Sequence, residues 1–409
     1  MPAIRERSTI LVTCPKGMPP VLAGEMRALG LPALTETEAG VETEGTMADA
    51  MRLNLHVRTG HRVLFQLKAF RAAAQRALYW QLLKIPWELY IPADGYLSVD
   101  SSVRTRSMRN PRFANLRAKD AIVDRIRDHC GRRPDSGPEE RGAAVFLHWR
   151  DDECRIYLNT SGAPLTKRGY RTIPGRAPMQ ETLAAGVVLA SGWDKAGPFV
   201  NPMCGSGTLA IEAAWIGLGR APGLMREDFA FQHLLPFDAP AWDAMRAAAA
   251  AALRPELAAP IVATDIDPAA IAAARQNARA AGVERWIRFS RCDFADTPLP
   301  PGAGVVVLNP EYGERMGSES ALAAVYARIG DFLKQKCAGR RGYVFTGNLS
   351  LAKTVGLRTS RRLTFFNGPI ECRLLEFDLY EGSRREDGPP DASHAAALPD
   401  TIVPPAVEG

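Results

Sequence analysis

The chain has 409 residues, of which 46% are hydrophobic and 23% charged, with a net charge of +6 and a pI near 9.0. This composition is typical of globular proteins, and the length predicts two or three domains. No run of about 18 uncharged apolar residues occurs, and residues 1–10 hold two arginines and a glutamate. We therefore expect no membrane span and no secretory signal, and a cytoplasmic protein.

The cysteines and histidines show none of the spacings of a metal site or a disulfide framework. The seven cysteines, at positions 14, 130, 154, 204, 292, 337 and 372, include no Cys-x-x-Cys pair and are odd in number. The six histidines are scattered along the chain. We predict reduced thiols and no metal.

Short α and β elements are predicted over the first 160 residues. Apolar periodicity gives, in chain order, a strand at Ser8–Cys14, a helix at Pro19–Leu29, segments near Ala33 and Val41, a helix at Thr46–Leu55, a strand at Val63–Phe70, a helix at Ala72–Lys84, a strand at Leu97–Val103, a helix at Asn115–Arg127, and a hairpin of Ala144–Trp149 and Glu153–Asn159. This order predicts an α+β region.

Basic residues cluster in two stretches of the sequence. Residues 101–133 contain ten Arg or Lys against three Asp, and residues 334–362 contain eight basic residues and no acidic one. Such clusters are typical of a surface that binds a polyanion, and they also occur as solvated faces without a partner.

From residue 161 onward strands and helices alternate, which predicts a mostly parallel, doubly wound sheet. The predicted elements are strands at Phe199–Pro202, Ile261–Asp265, Ile287–Arg291, Val305–Asn309 and Gly342–Thr346, helices from Thr208, at Ala247–Ala252, Pro268–Ala281 and Ala321–Lys336, and a hairpin of Leu363–Phe366 and Cys372–Tyr380. Sheets of this class bind ligands at the carboxyl ends of their strands. Residues 381–409 are rich in Pro and lack apolar periodicity, so we expect a disordered tail.

A glycine-containing turn follows the strand Phe199–Pro202. Cys204-Gly205-Ser206-Gly207 precedes a helix from Thr208, and glycines there let backbone N–H groups approach a ligand at a helix N-terminus. This arrangement suits the carboxylate and ribose of S-adenosylmethionine. An ordinary strand–helix turn is the alternative interpretation.

Acidic residues follow the next two strands. Asp265 can accept the ribose hydroxyls, and Asp293 is placed to reach the adenine amine. A dinucleotide is the weaker alternative, because Ala210 occupies the third glycine position of its fingerprint and the acid lies too far along the chain.

Asn309-Pro310-Glu311-Tyr312 ends a later strand and predicts a clamp for a planar amine. The exocyclic amine of a purine is a poor nucleophile because its lone pair is delocalised, so acceptors must draw it toward tetrahedral geometry. Asn309 and Pro310 can supply those acceptors, and the Tyr312 ring can stack on the base. The pattern predicts methyl transfer to an exocyclic nitrogen; a strand ending in a plain turn is the alternative.

Six further segments carry a family resemblance. They are Thr13–Gly17, Lys119–Arg125, Lys167–Arg171, Ala177–Ala184, Gly205–Ala214 and Phe366–Cys372. Together they resemble the THUMP-domain class I RNA methyltransferases, and within them the N-terminal half of the RlmL type, which methylates guanine N2 in 23S ribosomal RNA. The resemblance implies a ferredoxin-like element over 1–55, a THUMP RNA-binding domain over 56–160 and a Rossmann-like methyltransferase domain over 161–380. It implies S-adenosylmethionine as cofactor and ribosomal RNA or a large-subunit precursor as partner of what we expect to be a monomer.

The resemblance assigns expected roles to named residues. The expected cofactor contacts are Asn201, Pro202, Cys204, Gly205, Gly207, Thr208, Asp265, Ile266, Asp293 and Phe294. The expected RNA contacts are Arg117, Lys119, Arg125, Lys167, Arg168 and Arg171, the last three on a linker that could instead be a solvated connector.

Two residues depart from the family pattern, which usually has Asp at position 201 and Pro at position 311. Glu181 or Glu212 could compensate for the acid that Asn201 replaces. We hypothesise that Glu311 accepts the paired N–H donors of guanine, and a solvent-facing side chain is the alternative. Adenine-N6 methylation of DNA and a catalytically idle RNA-binding assembly factor stay open.

Overall fold

The computed structural model describes residues 6–32, 34–106, 110–173, 179–312 and 319–380. The predicted segment at Ala33 and the predicted tail over 381–409 lie outside these residues. Within the described part of the chain, no helix is long and apolar enough to cross a bilayer. All seven cysteines are free thiols, and five of them are buried.

The first half of the chain builds one eight-stranded sheet with four helices. Its strands are β1 (Ser8–Thr13), β2 (Thr35–Thr37), β3 (Gly40–Gly45), β4 (Arg62–Arg71), β5 (Tyr96–Arg104), β6 (Asp135–Ser136), β7 (Ala143–Arg150) and β8 (Glu153–Asn159). Its helices are α1 (Pro19–Ala28), α2 (Met47–His56), α3 (Gln75–Leu83) and α4 (Pro111–Cys130). The strand order is β2-β3-β1-β4-β8-β7-β5-β6. Strand β4 pairs with both β1 and β8, so the sheet is continuous.

Local capping explains why α4 is longer than the predicted helix. Asn110 is its N-cap, and the Asn110 side chain accepts the backbone N–H of Arg112 at 3.0 Å. Pro111 suits the first helical position because it lacks the N–H that would be unpaired there. The helix ends at Gly131, whose φ of 68° is the left-handed conformation of a C-cap.

The second half builds a seven-stranded sheet with helices on both faces. Its strands are β9 (Phe199–Pro202), β10 (Ile261–Asp265), β11 (Ile287–Arg291), β12 (Val305–Leu308), β13 (Arg341–Thr346), β14 (Arg361–Asn367) and β15 (Ile370–Asp378). Its helices are α5 (Glu181–Ala190), α6 (Thr208–Leu218), α7 (Ala239–Ala251), α8 (Pro268–Ala280), α9 (Glu319–Lys336) and α10 (Leu349–Thr354). The order is β11-β10-β9-β12-β13-β15-β14. The first five strands are parallel, and β15 runs antiparallel to its neighbours.

The predicted doubly wound sheet is therefore confirmed. Two helices of this half, α5 and α10, were not predicted. Every residue of α5 from Glu181 to Val188 is buried. A helix buried on all sides has no polar face, so the apolar periodicity that reveals a surface helix is absent. Helix α10 has only six residues, too few to show a period.

A buried ionic cluster joins the two halves. The Arg168 guanidinium donates to the carboxylate of Glu212 on α6 and to the backbone carbonyl of Arg58. The Tyr170 hydroxyl donates to the other Glu212 oxygen at 2.7 Å. Only 2% of the Arg168 side chain and none of the Glu212 side chain is exposed. Our expectation that Arg168 contacts RNA is wrong, because its charge is buried against Glu212.

We predict that Arg168→Met destabilises the fold by about 3–5 kcal/mol at pH 8, because a buried Glu212 carboxylate loses its cation. Burial already raises the pKa of Glu212, and Arg168 opposes that rise. Without Arg168 the folded-state pKa rises further above the unfolded value, so stability is retained at low pH and lost as the pH rises. Urea unfolding at pH 5 and pH 8 measures this.

Lys167→Met is the matched control, because 64% of the neighbouring Lys167 side chain is exposed. It should change the free energy of unfolding by less than about 1 kcal/mol at both pH values. Equal losses in the two variants, or a loss in Arg168→Met that does not grow with pH, would show that the buried pair is not what stabilises the junction.

Candidate functional site

The cofactor turn and the amine clamp lie at the ends of neighbouring parallel strands. Strand β9 pairs with β12 in the register Phe199↔Val305 and Val200↔Val306. The order of the sheet reverses at this pair, since β10 continues from β9 to one side and β13 from β12 to the other. Crevices that bind ligands in doubly wound sheets form at such a reversal.

A side chain ties the two strand ends together. The Asn201 amide nitrogen donates to the carbonyl of Val307 at 2.8 Å, and the Asn201 side chain is fully buried. The carbonyl of Pro202 also lies 3.4 Å from the Asn201 nitrogen. Two carbonyls on one side fix the orientation of the amide, so its oxygen must point elsewhere.

The turn after β9 has three residues with positive φ: Met203 at 56°, Gly205 at 54° and Gly207 at 84°. A Cβ on Gly207 would come within 2.9 Å of the Ala274 Cβ, so Gly207 also allows α6 to pack closely on α8. A Cβ on Gly205 would meet no atom within 4 Å. The turn therefore presents backbone next to open space at the N-terminus of α6, where an anionic group is favoured.

Asp265 at the end of β10 holds this turn in place. One carboxylate oxygen accepts the Gly205 N–H at 2.9 Å, and the other accepts the Asp267 N–H at 3.0 Å. The Cys204 N–H donates to the Thr264 carbonyl at 2.9 Å, which fixes the start of the turn. Asp265 thus lies beside the turn, as predicted from its position at the strand tip.

Asn277 on α8 is a positioning residue that the sequence did not reveal. Its amide nitrogen donates to the carbonyls of Ser206 at 3.1 Å and Ile173 at 3.0 Å. Its oxygen accepts the backbone N–H groups of Thr172 and Ile173. An asparagine on the apolar face of a predicted helix is a signal that could have identified it, because a buried amide needs several partners.

The other expected cofactor residues lie around the same strand tips. Ile266 is 63% exposed, which leaves a flat apolar surface next to Asp265. Pro202, Cys204 and Thr208 are buried within the turn. The Phe294 side chain is also buried, with the Arg328 guanidinium 4.9 Å from its ring centroid.

Asp293 is held by an ion pair. Its Oδ1 accepts from Arg328 at 2.8 Å and from the Ala295 N–H at 2.9 Å. Partial burial alone would raise the pKa of Asp293, but these two donors reverse the effect and lower it. The carboxylate is therefore ionised at neutral pH.

In the clamp, the Asn309 side-chain oxygen is buried and has no hydrogen-bond partner among the described residues. The Asn201 side-chain oxygen is also buried and has no hydrogen-bond partner among the described residues. Buried polar atoms in native proteins are nearly always paired, so each of these acceptors is available to a donor from a bound molecule. The two unpaired oxygens belong to residues at the ends of adjacent strands, which is consistent with a ligand site between them.

Tyr312 is fixed beside them by contacts that the sequence did not indicate. Its hydroxyl accepts from the Asn367 amide at 3.0 Å, and its ring meets Phe345 edge to face, with centroids 6.3 Å apart. A Cβ on Gly347 would lie only 2.8 Å from the ring. Burial raises the pKa of Tyr312, so the phenol is neutral and contributes a surface rather than a base.

Pro310 is buried and the Glu311 side chain is exposed. The Glu311 backbone carbonyl accepts from the Tyr326 hydroxyl at 3.3 Å, and Tyr326 also bonds the Thr346 hydroxyl at 2.6 Å. The backbone of the clamp is therefore anchored to β13, while the Glu311 carboxylate faces solvent. The residue after Tyr312, Gly313, lies outside the described residues.

The three basic residues of the linker differ in burial and in their contacts. Arg171 is half-buried at the start of α6, where its guanidinium donates to the Met179 carbonyl and lies 3.4 Å from the Thr208 hydroxyl and 3.6 Å from Glu181. Glu212 is buried against Arg168 and Tyr170, so it cannot compensate for the missing acid at Asn201. Lys167 is exposed and pairs with Glu140 at 2.5 Å.

The residues on α4 that we expect to contact RNA differ in their exposure and in their ion pairs. Arg117 is exposed, with its guanidinium 5.8 Å from the Tyr79 ring centroid. Lys119 lies 3.1 Å from the neighbouring Asp120. Arg125 forms a two-point ion pair with Glu88 at 2.6 and 3.0 Å, so this arginine is committed to holding α4 on the segment before β5. Arg117 is the member of the set that solvent reaches best.

Three or more metal-ligating side chains do not come together anywhere in the described residues. The site instead combines a glycine turn, an acid at the next strand tip and a buried amide–proline clamp on a seven-stranded sheet. These features define a class I methyltransferase domain.

The chain belongs to the RMKL-like methyltransferase family, whose domain model matches residues 168–376. A model of the RlmL ferredoxin-like domain matches residues 9–64, and a THUMP domain model matches residues 73–159. The resemblance stated from the sequence is thereby confirmed.

Relatives cover most of this chain. It is 40% identical over 383 residues to the "Ribosomal RNA large subunit methyltransferase K/L" of Syntrophotalea carbinolica, which covers 90% of this chain and 53% of that protein. It is 36% identical to the "Putative RNA methyltransferase slr0064" of Synechocystis sp., over 90% of this chain and 96% of that protein. The chain thus spans about half the length of the K/L relatives it matches.

A solved structure shares the whole architecture. The crystal structure of SMU.472, described as a putative methyltransferase complexed with SAH, superposes with a TM-score of 0.84 at 28% identity. The match covers 93% of this chain and 100% of that chain. The order of the ferredoxin-like, THUMP and methyltransferase parts is therefore a property of this fold.

We predict that Asn201→Asp destabilises the ligand-free protein, because a carboxylate cannot donate to the Val307 carbonyl and is buried without a cation. The loss should reach about 3 kcal/mol or more in urea unfolding at pH 8. Asn201→Ala is the control, since it removes the same hydrogen bond without adding a charge. A smaller loss in Asp than in Ala would contradict the placement of the amide between two carbonyls.

Proposed function

We propose that this protein transfers a methyl group from S-adenosylmethionine to the exocyclic N2 of a guanine in large-subunit ribosomal RNA. The observation that carries the proposal is the pair of buried, unpartnered amide oxygens on Asn201 and Asn309. One borders the glycine turn and the other belongs to the clamp, so two different donors are needed in one crevice. A sulfonium amino acid and a base amine meet that requirement.

The residues present fit the cofactor. The carboxylate of its methionine part would lie at the N-terminus of α6, near Gly205 and Arg171, and its ammonium group would donate to the Asn201 oxygen. The ribose would lie at Asp265, and the adenine would cover the exposed side chain of Ile266. When bound, S-adenosylmethionine supplies an electrophilic methyl group. SAH in the related SMU.472 structure supports this assignment.

The clamp supplies what the amine needs. The Asn309 oxygen and the Pro310 carbonyl accept the two amine N–H groups, which localises the nitrogen lone pair and aims it away from both acceptors. The Tyr312 ring, fixed by Asn367 and Phe345, stacks on the base. No strong base is required, because the nitrogen becomes acidic once it is alkylated and its proton passes to water.

RNA as substrate is supported by the THUMP match and by the K/L relatives. Guanine as the base is our more specific proposal. It rests on Glu311, whose exposed carboxylate follows directly after the buried Pro310 and can accept the paired N–H donors that guanine has and adenine lacks. Extruding the base from its stack costs a few kcal/mol, which stacking on Tyr312 offsets.

The proposed function is tested by mass mapping of ribosomal RNA nucleosides from cells with and without this protein. We expect one N2-methylguanine in the large-subunit RNA to disappear and to return with purified protein and S-adenosylmethionine. Loss of N6-methyladenine from DNA instead would favour the adenine alternative. Unchanged nucleosides together with no calorimetric binding of S-adenosylmethionine would favour an idle assembly factor.

We predict that Asn309→Ala lowers kcat about 100-fold or more, which is the usual cost of removing one hydrogen-bonding group aimed at the reacting atom. The dissociation constant of S-adenosylmethionine, measured by calorimetry, should change less than about twofold. The control is Asn110→Ala, which removes the N-cap of α4 in the first half of the chain. Comparable kcat values for Asn309→Ala and wild type would exclude the amide as an amine acceptor.

We predict that Glu311→Gln raises KM for guanine-containing RNA about tenfold, because the glutamine offers one acceptor and a competing donor where guanine presents two donors. Stability should be unchanged, since the side chain is exposed. Methylation kinetics on RNA with guanine or adenine at the target position measure the effect. If rate and base choice were untouched, the exposed Glu311 carboxylate would not contact the target base.

A further inference from the structure

Two segments that the resemblance singled out, Thr13–Gly17 and Phe366–Cys372, meet in the folded protein. Lys16 lies in the loop between β1 and α1, and its ammonium nitrogen is 4.9 Å from the centroid of the Phe366 ring on β14. Gly17 has a φ of 82°, and a Cβ there would come within 2.2 Å of the Thr364 carbonyl oxygen. The loop backbone is therefore pressed directly against β14.

This contact is adjacent to the amine clamp. Asn367, the residue after Phe366, donates to the Tyr312 hydroxyl at 3.0 Å. Gly347 also packs closely against Tyr312, because a Cβ on Gly347 would lie 2.8 Å from both the Tyr312 ring and the Ile370 side chain. Asn367 thus holds the proposed stacking ring, and Lys16, from the other half of the protein, lies over Phe366, the residue before Asn367 on β14.

The charge of Lys16 is not used within the protein. Lys16 is exposed, and no carboxylate of the described residues lies within ion-pairing distance of its nitrogen. Glu371, which pairs with Phe366 in the β14–β15 register, is itself held by Arg373 at 2.6 Å. A solvent-accessible ammonium group beside a base pocket is suited to a phosphate, which lysine binds as a point charge.

We propose that Lys16 binds an RNA phosphate next to the target nucleotide, so that the loop between β1 and α1 forms one wall of the catalytic entrance. A base stacked on Tyr312 directs its ribose and phosphate toward the pocket edge, where Lys16 lies. The ferredoxin-like half then has a direct part in substrate binding. This inference rests on the proposed RNA methyltransferase function and concerns a residue outside the methyltransferase domain.

The test compares Lys16→Met, which keeps an apolar stem over Phe366, with Lys16→Arg, which keeps the charge. Lys195→Met is the matched control, a partly exposed lysine in the segment before β9, at the end of that strand opposite to the glycine turn. Methylation kinetics and fluorescence anisotropy binding would use 23S ribosomal RNA from cells lacking this protein, at several salt concentrations. Thermal unfolding of each variant would report any change in packing.

For Lys16→Met we expect a KM for RNA raised about three- to tenfold, kcat within twofold, and an unchanged dissociation constant for S-adenosylmethionine. The slope of log K against log salt should become shallower by about 0.7, the loss of one phosphate contact on a single strand. Lys16→Arg should restore both KM and slope, and Lys195→Met should match the wild type.

A Lys16→Met variant with wild-type KM and salt slope would overturn the inference, whether or not its melting temperature changed. The proposed function would survive that result as long as the wild type methylates the RNA. Failure of the wild type to methylate or bind the RNA would overturn both.

Discussion

The pairing of β9 with β12, held at its carboxyl end by the hydrogen bond from Asn201 to Val307, is the constraint on which the site depends. Each strand carries a different chemical element at its tip, a glycine turn after β9 and an amide–proline clamp after β12. Neighbouring parallel strands end at the same edge of the sheet. The two tips therefore lie side by side, although about a hundred residues of chain separate them.

Asn201 has two functions in this arrangement. Its side-chain nitrogen donates to the Val307 carbonyl, and its side-chain oxygen is buried without a hydrogen-bond partner among the described residues. The acid that the family usually has at this position could accept a ligand ammonium but could not donate to Val307. Compared with an aspartate, Asn201 therefore lacks a negative charge but adds a hydrogen bond between the two strands. Its side-chain oxygen is still available as an acceptor for the proposed cofactor.

The two halves of the molecule are held together by contacts at two places. The buried Arg168–Glu212 pair fixes the linker to α6, the helix that begins at the glycine turn. Strand β14 receives the loop of Lys16 on the other side of the catalytic domain. In the function that we propose, RNA bound by the first half would be presented to a catalytic edge that the same half helps to build.

The strands of the second sheet, the glycine turn and the position of Asp265 at a strand tip could be predicted from the sequence, because each has a local pattern: an apolar run, closely spaced glycines, or an acid after an apolar run. Positions that depend on long-range contacts were not. Nothing near Arg168 indicates that its charge is neutralised 44 residues later by Glu212, so a linker arginine was taken for an RNA contact. Asn277, Gly347 and Asn367 likewise acquire their roles only when distant elements pack. Helix α5 was not predicted from the sequence because it is buried on all sides and has no polar face.

A crystal structure of the protein with SAH would test the central claim most directly, because it measures where the sulfur atom lies relative to both strand tips. We expect the sulfur to lie between the Cys204–Thr208 turn and the Asn309 oxygen, with the ribose at Asp265 and the ammonium group hydrogen-bonded to Asn201. SAH bound elsewhere, or bound at the turn but separated from Asn309 by protein side chains, would contradict it.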